Sequence, residues 1–215
     1  MFSEINHSQP DDRLEISPSM KSNDEFVDQQ PNTGDVPANK QSLTVIKIGG
    51  STLGNHDTTL MDLVELQKKG EKFVVIHGGG KTISEWMEKQ GIRPKFVNGL
   101  RVTDSQSLDI VVAVLTGVIN KSIVASINSL GGRAIGISGA DGNMVSAEIA
   151  DPELGYVGKI KSVDTAPIEA ILEAGYIPVI APVGIHSDSD DHSKLLNINA
   201  DTVAGYVSSS INADR

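Results

Sequence analysis

Two apolar runs of strand character each end directly in glycines, and that junction, used twice, most constrains how this chain folds. Leu43-Thr44-Val45-Ile46-Lys47 runs into Ile48-Gly49-Gly50-Ser51, and Lys72-Phe73-Val74-Val75-Ile76 runs into His77-Gly78-Gly79-Gly80. Glycine has no Cβ, so the chain can turn sharply and bring bare N–H groups close to a ligand. A row of such groups is a nest for phosphate or carboxylate, and a helix N-terminus behind it adds partial positive charge. A third segment, Asn197-Ile198-Asn199-Ala200-Asp201, also looks suited to an anionic ligand. With a lysine inside the first strand, the pattern points to phosphate transfer or tight anion binding.

From Leu43 onward strands and helices alternate. The spacing predicts a strand at 43–48, a helix near 57–69 that stops at Gly70, a strand at 72–77 and a helix that ends at Gly91. A polar connection carrying Asn98-Gly99-Leu100-Arg101-Val102-Thr103-Asp104 precedes a long apolar-faced helix, about 105–130, closed by Gly131-Gly132. A strand at 134–138, a hairpin region around 143–162, a short helix and a buried strand, YIPVIAPV, follow. This order predicts an α/β fold with a mainly parallel central sheet and helices on both faces. Ligands of such sheets sit beyond the carboxyl ends of the strands, where both glycine loops fall.

Residues 1–42 read differently. They hold Pro10, Pro18, Pro31 and Pro37, few apolar positions, and eight acidic against three basic residues. That composition predicts a disordered, solvating tail carrying half of the chain's net charge of −10. The acidity argues against a nucleic-acid partner, which needs clustered Lys and Arg. It leaves room for a small anionic substrate at a locally positive site. No apolar run reaches the length of a membrane span, and the N-terminus lacks signal-peptide character, so no membrane partner and a cytoplasmic location are expected. The chain has no cysteine, which excludes disulfide and thiolate chemistry.

Among single residues, Lys47 ranks first. A lysine in an apolar strand is costly unless its charge is used or reaches solvent, and the following Gly49 and Gly50 favour use. The surroundings do not match the GxxxxGK(S/T) pattern of a P-loop. Gly78, Gly79 and Gly80 serve either a ligand or a sharp strand-to-helix turn. His77 could move protons, although a strand-end histidine is more often a hydrogen-bonded structural group. Arg101, in the polar connection, suits bidentate carboxylate recognition. Asn197 and Asn199 alternate onto one strand face, and Asp201 stands where a helix begins, as an N-cap or as an acid that orients a lysine. No metal site is expected: Asp188-Ser189-Asp190-Asp191-His192 lacks the glycine and terminal glutamate of a calcium loop.

Taken in order, KIGGS, HGGG, NGLRVTD and NINAD resemble acetylglutamate kinases of the amino acid kinase family, supported by ISGADG and DPELGYVG, over about residues 43–215. The resemblance implies a three-layer αβα sandwich and ATP-dependent phosphorylation of the γ-carboxylate of N-acetyl-L-glutamate, in arginine biosynthesis, with Mg²⁺ arriving with the nucleotide. It further implies that Lys47 stabilises the transferring phosphoryl group and that Gly49 and Gly50 face the nucleotide. Gly79 and Gly80 would bind substrate and phosphoryl oxygens, Arg101 and Asn197 the α-carboxylate side, and Asp201 would organise the lysines. A homodimer is implied as well. Family members carry a second half that holds the nucleotide and supplies another lysine. The chain is therefore expected to hold mainly the acetylglutamate-binding half, 43–196, with 197–215 beginning the nucleotide domain, and to lack turnover alone. A non-catalytic acetylglutamate-binding module and a kinase of carrier-bound aminoadipate remain as alternatives.

Overall fold

Alternate residues of one central strand feed two different cores. Along Lys72–His77, Phe73 and Val75 join one apolar cluster, while Val74 and Ile76 join another. A strand buried on both faces belongs in the middle layer of a sandwich. The computed structural model describes residues 42–49, 58–188 and 194–215, all in one compact unit. The expected tail, Gly50, Ser51 and the acidic stretch from Ser189 to His192 lie outside the described residues.

The elements are β1 (Leu43–Ile48), α1 (Thr59–Lys68), β2 (Lys72–His77), α2 (Gly80–Lys89), β3 (Phe96–Val97) and β4 (Leu100–Arg101). Next come α3 (Ser105–Val112), a π-helical segment (Ala113–Ile119) and α4 (Asn120–Ser129), which together form one continuous helix. The remainder are β5 (Ala134–Ser138), β6 (Val145–Ile149), β7 (Gly158–Val163), α5 (Ala166–Glu173), β8 (Ile177–Ala181), β9 (Val183–His186), β10 (Leu195–Asn197) and α6 (Ala200–Ser210).

The central sheet has the order β1-β2-β8-β5 and is parallel throughout. Helices α1, α2 and the long helix cover one face, and α5 and α6 cover the other. A smaller sheet, β10-β9-β6-β7, packs into the second core. The α/β fold with a parallel central sheet is as the sequence pattern predicts. The helices after β1, β2 and the π segment stop where expected, because Gly70, Gly91 and Gly131 adopt φ of 91°, 76° and 84°.

Two expectations need correction. Arg101 does not lie in a loop: Asn98 and Gly99, both at positive φ, close a two-residue hairpin that pairs Phe96 with Arg101. The helix Ser105–Ser129 is long and apolar enough, by length and composition, to cross a membrane. Asp109 and Lys121 interrupt the apolar run in sequence, but its inner face (Ile110, Val111, Val114, Leu115, Ile119, Ile123, Ile127) fills the protein's own core. Val203 and Val207 of α6 and Ile211 just after it share a core with Val74 and Ile76, and Val45 N–H donates to the carbonyl of Arg215 at 2.9 Å.

Candidate active site

Lys47 is the next-to-last residue of β1, and the two-residue strand period sends it to the same side as Leu43 and Val45, the side covered by α6. Ile48 points the other way, into the first core. Lys47 therefore meets the first turn of α6, where its Nζ lies 3.1 Å from Asp201 Oδ1. Asp201 is free for this because it is not the helix cap. Asn199 Oδ1 accepts from the N–H groups of Asp201 and Thr202 at 2.9 and 3.1 Å. The capping role expected of Asp201 thus belongs to Asn199, which leaves β10 before the helix and does not share a strand face with Asn197.

The second glycine loop leads into α2. A Cβ on Gly79 would fall 2.6 Å from Ile119 Cδ1 and 2.8 Å from Leu115 Cδ2, whereas one on Gly80 would meet nothing within 4 Å. The π-helical segment supplies both of those side chains. Gly79 is thus a close-packing position, and Gly80 borders open space. Among the described residues no acceptor is bonded to the Gly79 or Gly80 N–H, so the start of α2 has donors to offer.

Arg101 is 7% exposed. Its Nη2 donates to Gly80 O and Ser84 Oγ, both at 2.8 Å, its Nη1 approaches Met87 Sδ at 3.1 Å, and its guanidinium carbon lies 4.7 Å from the Phe96 ring centre. Burial pushes its pKa below the ordinary arginine value. Among the described residues no carboxylate lies within ion-pair distance of it. Asn197 Nδ2 donates to Thr103 Oγ1 at 3.2 Å, and Thr103 Oγ1 donates to Arg101 O at 3.1 Å, which ties β10 to β4.

One cleft at the carboxyl ends of β1, β2 and β8 is lined by Lys47, Gly49, Gly79, Gly80, Arg101, Asn197 and Asp201. Asn199 also lines it; Gly50 lies outside the described residues. Two cations and the first turns of α2 and α6 converge there against one carboxylate, an arrangement suited to an anion. His77 stands behind the loop at 1% exposure, bonded to Gly78 O at 3.1 Å and to Asn120 Nδ2 at 3.2 Å. Burial, outweighing the bond to Gly78, lowers its pKa from 6.5. It is a neutral structural group without access to the cleft. Sequence reasoning missed Ser84, Phe96, Thr103 and Asn120. The Asn-Gly pair between apolar residues could have revealed the hairpin holding Phe96.

Comparison with known proteins gives the family. The family model described as "Amino acid kinase family" matches residues 42–215. The chain belongs to the amino acid kinase family. An acetylglutamate kinase of Dehalococcoides mccartyi is 45% identical over 175 residues, covering 80% of this chain and 64% of that protein. One from Caldanaerobacter subterraneus is 47% identical over 176 residues, covering 80% and 58%. The chain thus spans about three-fifths of the length of these relatives. Among solved structures of the fold, a Streptococcus mutans protein superposes with a TM-score of 0.72 at 31% identity, covering 80% of this chain and 69% of that one. N-acetylglutamate synthase from Neisseria gonorrhoeae, complexed with coenzyme A and N-acetyl-glutamate, superposes with 0.66 at 26%, covering 81% and 40%.

Proposed function

We propose that this chain is the acetylglutamate-binding portion of an acetylglutamate kinase, which transfers the γ-phosphoryl group of ATP to the γ-carboxylate of N-acetyl-L-glutamate. The observation that carries the reading is Arg101: a buried guanidinium beside the cleft, with no carboxylate partner among the described residues. A buried cation of that kind is costly to the free fold and is repaid by an anionic ligand. Arg101 and Asn197 are assigned to the α-carboxylate side. Gly79 and Gly80 are assigned to the γ-carboxylate and phosphoryl oxygens, for which the start of α2 offers N–H donors.

Phosphoryl transfer needs little covalent help from a protein, so placement and charge neutralisation do most of the work. Lys47 is assigned to the equatorial oxygens of the transferring group, and Asp201 holds its ammonium in place. Gly49, and Gly50 beside it, are assigned to the nucleotide's phosphate end. Asp201 is the one carboxylate among the residues lining the cleft and is paired with Lys47, so Mg²⁺ is assigned to the phosphates of the nucleotide. There it would supply charge neutralisation. The proposed partners are N-acetyl-L-glutamate, ATP and a second copy of the chain, and the proposed location is the cytoplasm. The Neisseria synthase, complexed with N-acetyl-glutamate, shows the same ligand on a different enzyme, but identity of 43–47% to named kinases against 26% to the synthase favours the kinase.

Calorimetric titration of the chain with N-acetyl-L-glutamate, and with unacetylated L-glutamate as comparison, tests the reading. Binding of the acetylated ligand that weakens about tenfold to a hundredfold in Arg101→Ala is expected, since a charged hydrogen-bonded partner is worth about 1.5–3 kcal/mol. Absence of binding at millimolar ligand would refute it.

A further inference from the structure

The second glycine loop is held by a buried polar pair that takes no part in the cleft. Asn120 is 1% exposed and opens α4, directly after the π-helical segment. Its Nδ2 donates to Val179 O at 2.9 Å and lies 3.3 Å from Ile137 O, so it touches β8 and β5 together. Those carbonyls can only accept, which fixes the amide nitrogen on that side. Its Oδ1 in turn accepts from Lys121 Nζ at 3.1 Å. A Cβ on Gly136 would overlap the Asn120 amide, so β5 carries a residue that makes room for it.

The amide nitrogen carries two hydrogens, and the one not given to Val179 O is shared between Ile137 O and His77 Nε2, which lies 3.2 Å from the same Nδ2. Facing a donor, Nε2 must be the unprotonated nitrogen, and the proton of the neutral ring sits on Nδ1. Nδ1 lies 3.1 Å from Gly78 O, an acceptor, which requires the same tautomer. Two independent contacts therefore agree on one proton position. The Gly78–Gly79 peptide is trans, so its C=O and N–H point in opposite directions. Anchoring Gly78 O on the buried ring aims the Gly79 N–H away from His77.

We propose that Asn120 and His77 are positioning residues: Asn120 selects the Nδ1–H tautomer of His77, and His77 fixes the Gly78–Gly79 peptide so that the Gly79 N–H faces the anion in the cleft. The assignment rests on the acetylglutamate reading only for the identity of that anion. It explains why polar groups are kept in a core that apolar side chains could fill. It also gives the long helix a direct hold on the ligand loop, in addition to the packing of Leu115 and Ile119 against Gly79.

NMR of the chain carrying ¹⁵N-labelled histidine and glycine, alongside calorimetry with N-acetyl-L-glutamate, tests this. The expected wild-type His77 signal is a neutral ring protonated on Nδ1 between about pH 6 and 8. In Asn120→Ala the ring should lose its single tautomer, the Gly79 amide signal should move, and affinity should fall about tenfold to a hundredfold. Should that variant not fold, His77→Phe, which leaves Asn120 on its two carbonyls, carries the same expectation for Gly79 and affinity. A wild-type ring protonated on Nε2, or an unmoved Gly79 amide in a folded variant, would overturn the proposal. Unchanged affinity in a variant with a displaced Gly79 amide would overturn it as well. A wild-type chain that binds no N-acetyl-L-glutamate would sink the substrate reading alone, because the tautomer and the Gly79 amide shift still decide the positioning.

Discussion

Arg101→Met separates what this side chain does for the fold from what it does for a ligand. Methionine has comparable length without the charge. The replacement removes two hydrogen bonds from a charged donor, to Gly80 O and Ser84 Oγ, each worth about 1.5–3 kcal/mol. It also removes the contact with Phe96, worth about 0.5–2 kcal/mol. Against these stands the desolvation of a cation with no carboxylate partner among the described residues, several kcal/mol on its own. Gly80 O keeps the Ser84 hydroxyl at 3.0 Å, so that acceptor is not orphaned. The terms nearly cancel, and the free protein should change by less than about 1.5 kcal/mol, or roughly 6 °C in Tm at most. The liganded protein should differ much more. At a concentration 100 times its Kd, N-acetyl-L-glutamate should stabilise the wild type by about 2.7 kcal/mol. A variant weakened tenfold to a hundredfold should gain only about 0.4–1.4 kcal/mol at that concentration. Thermal unfolding with and without ligand, followed by the fluorescence of Trp86, the chain's one tryptophan and itself on α2, reads both quantities. A loss above about 3 kcal/mol in the free protein together with full ligand protection would refute the reasoning and make Arg101 a clamp for α2 alone.

Three other perturbations probe the same region. Lys47→Ala should cost less than about 1 kcal/mol in urea unfolding, because both partners of its ion pair reach solvent, while calorimetry should show weaker capture of anionic ligands; a stability loss above about 2 kcal/mol would contradict this. Gly79→Ala should destabilise by about 1–3 kcal/mol through crowding of Ile119 and Leu115, whereas Gly80→Ala should leave unfolding nearly unchanged, and equal effects of the two would contradict the packing described. His77 is held neutral in the fold while the unfolded chain protonates it near 6.5, so its contribution to stability is full above that pH and declines below it. The slope should approach about 1.4 kcal/mol per pH unit until the folded ring protonates, and urea unfolding at several pH values should show this component disappear in His77→Phe.

The alternation of strands and helices was legible because each layer imposes its own period, and because the glycines that stop α1, α2 and α4 sit at positive φ that few other residues adopt. The convergence of Lys47, Gly79, Gly80, Arg101, Asn197 and Asp201 on one cleft could be anticipated only as a set of strand-end residues in a parallel sheet. The partners of those residues were less legible. Asn199 and Asp201 are both good cap residues two positions apart; Asn199 caps the helix and Asp201 meets Lys47 arriving from β1, a partner that sequence spacing does not reveal. The pairing of His77 with Asn120 spans 43 positions and leaves no local trace. The π-helical segment differs from ordinary helix by less than one residue per turn over seven residues, too little for periodicity to register.

An anion site on a chain of net charge −10 calls for a local explanation. Half of that charge belongs to residues 1–42 by sequence, so the remainder of the chain is much less acidic than the whole. At physiological salt, charges separated by more than about 8 Å are largely screened, and the groups lining the cleft dominate what a bound ligand experiences. There Lys47 and Arg101 stand against Asp201, and two helix starts each add roughly half a positive charge. The two cations are held by different means. Arg101 is buried and fixed by neutral partners, which suits it to a ligand group that stays in one place. Lys47 is more than one-third exposed and held by one carboxylate, which leaves its ammonium able to follow a group that moves. Under the proposed reaction, a substrate carboxylate at Arg101 and a phosphoryl group in transit beside Lys47 would use that difference directly.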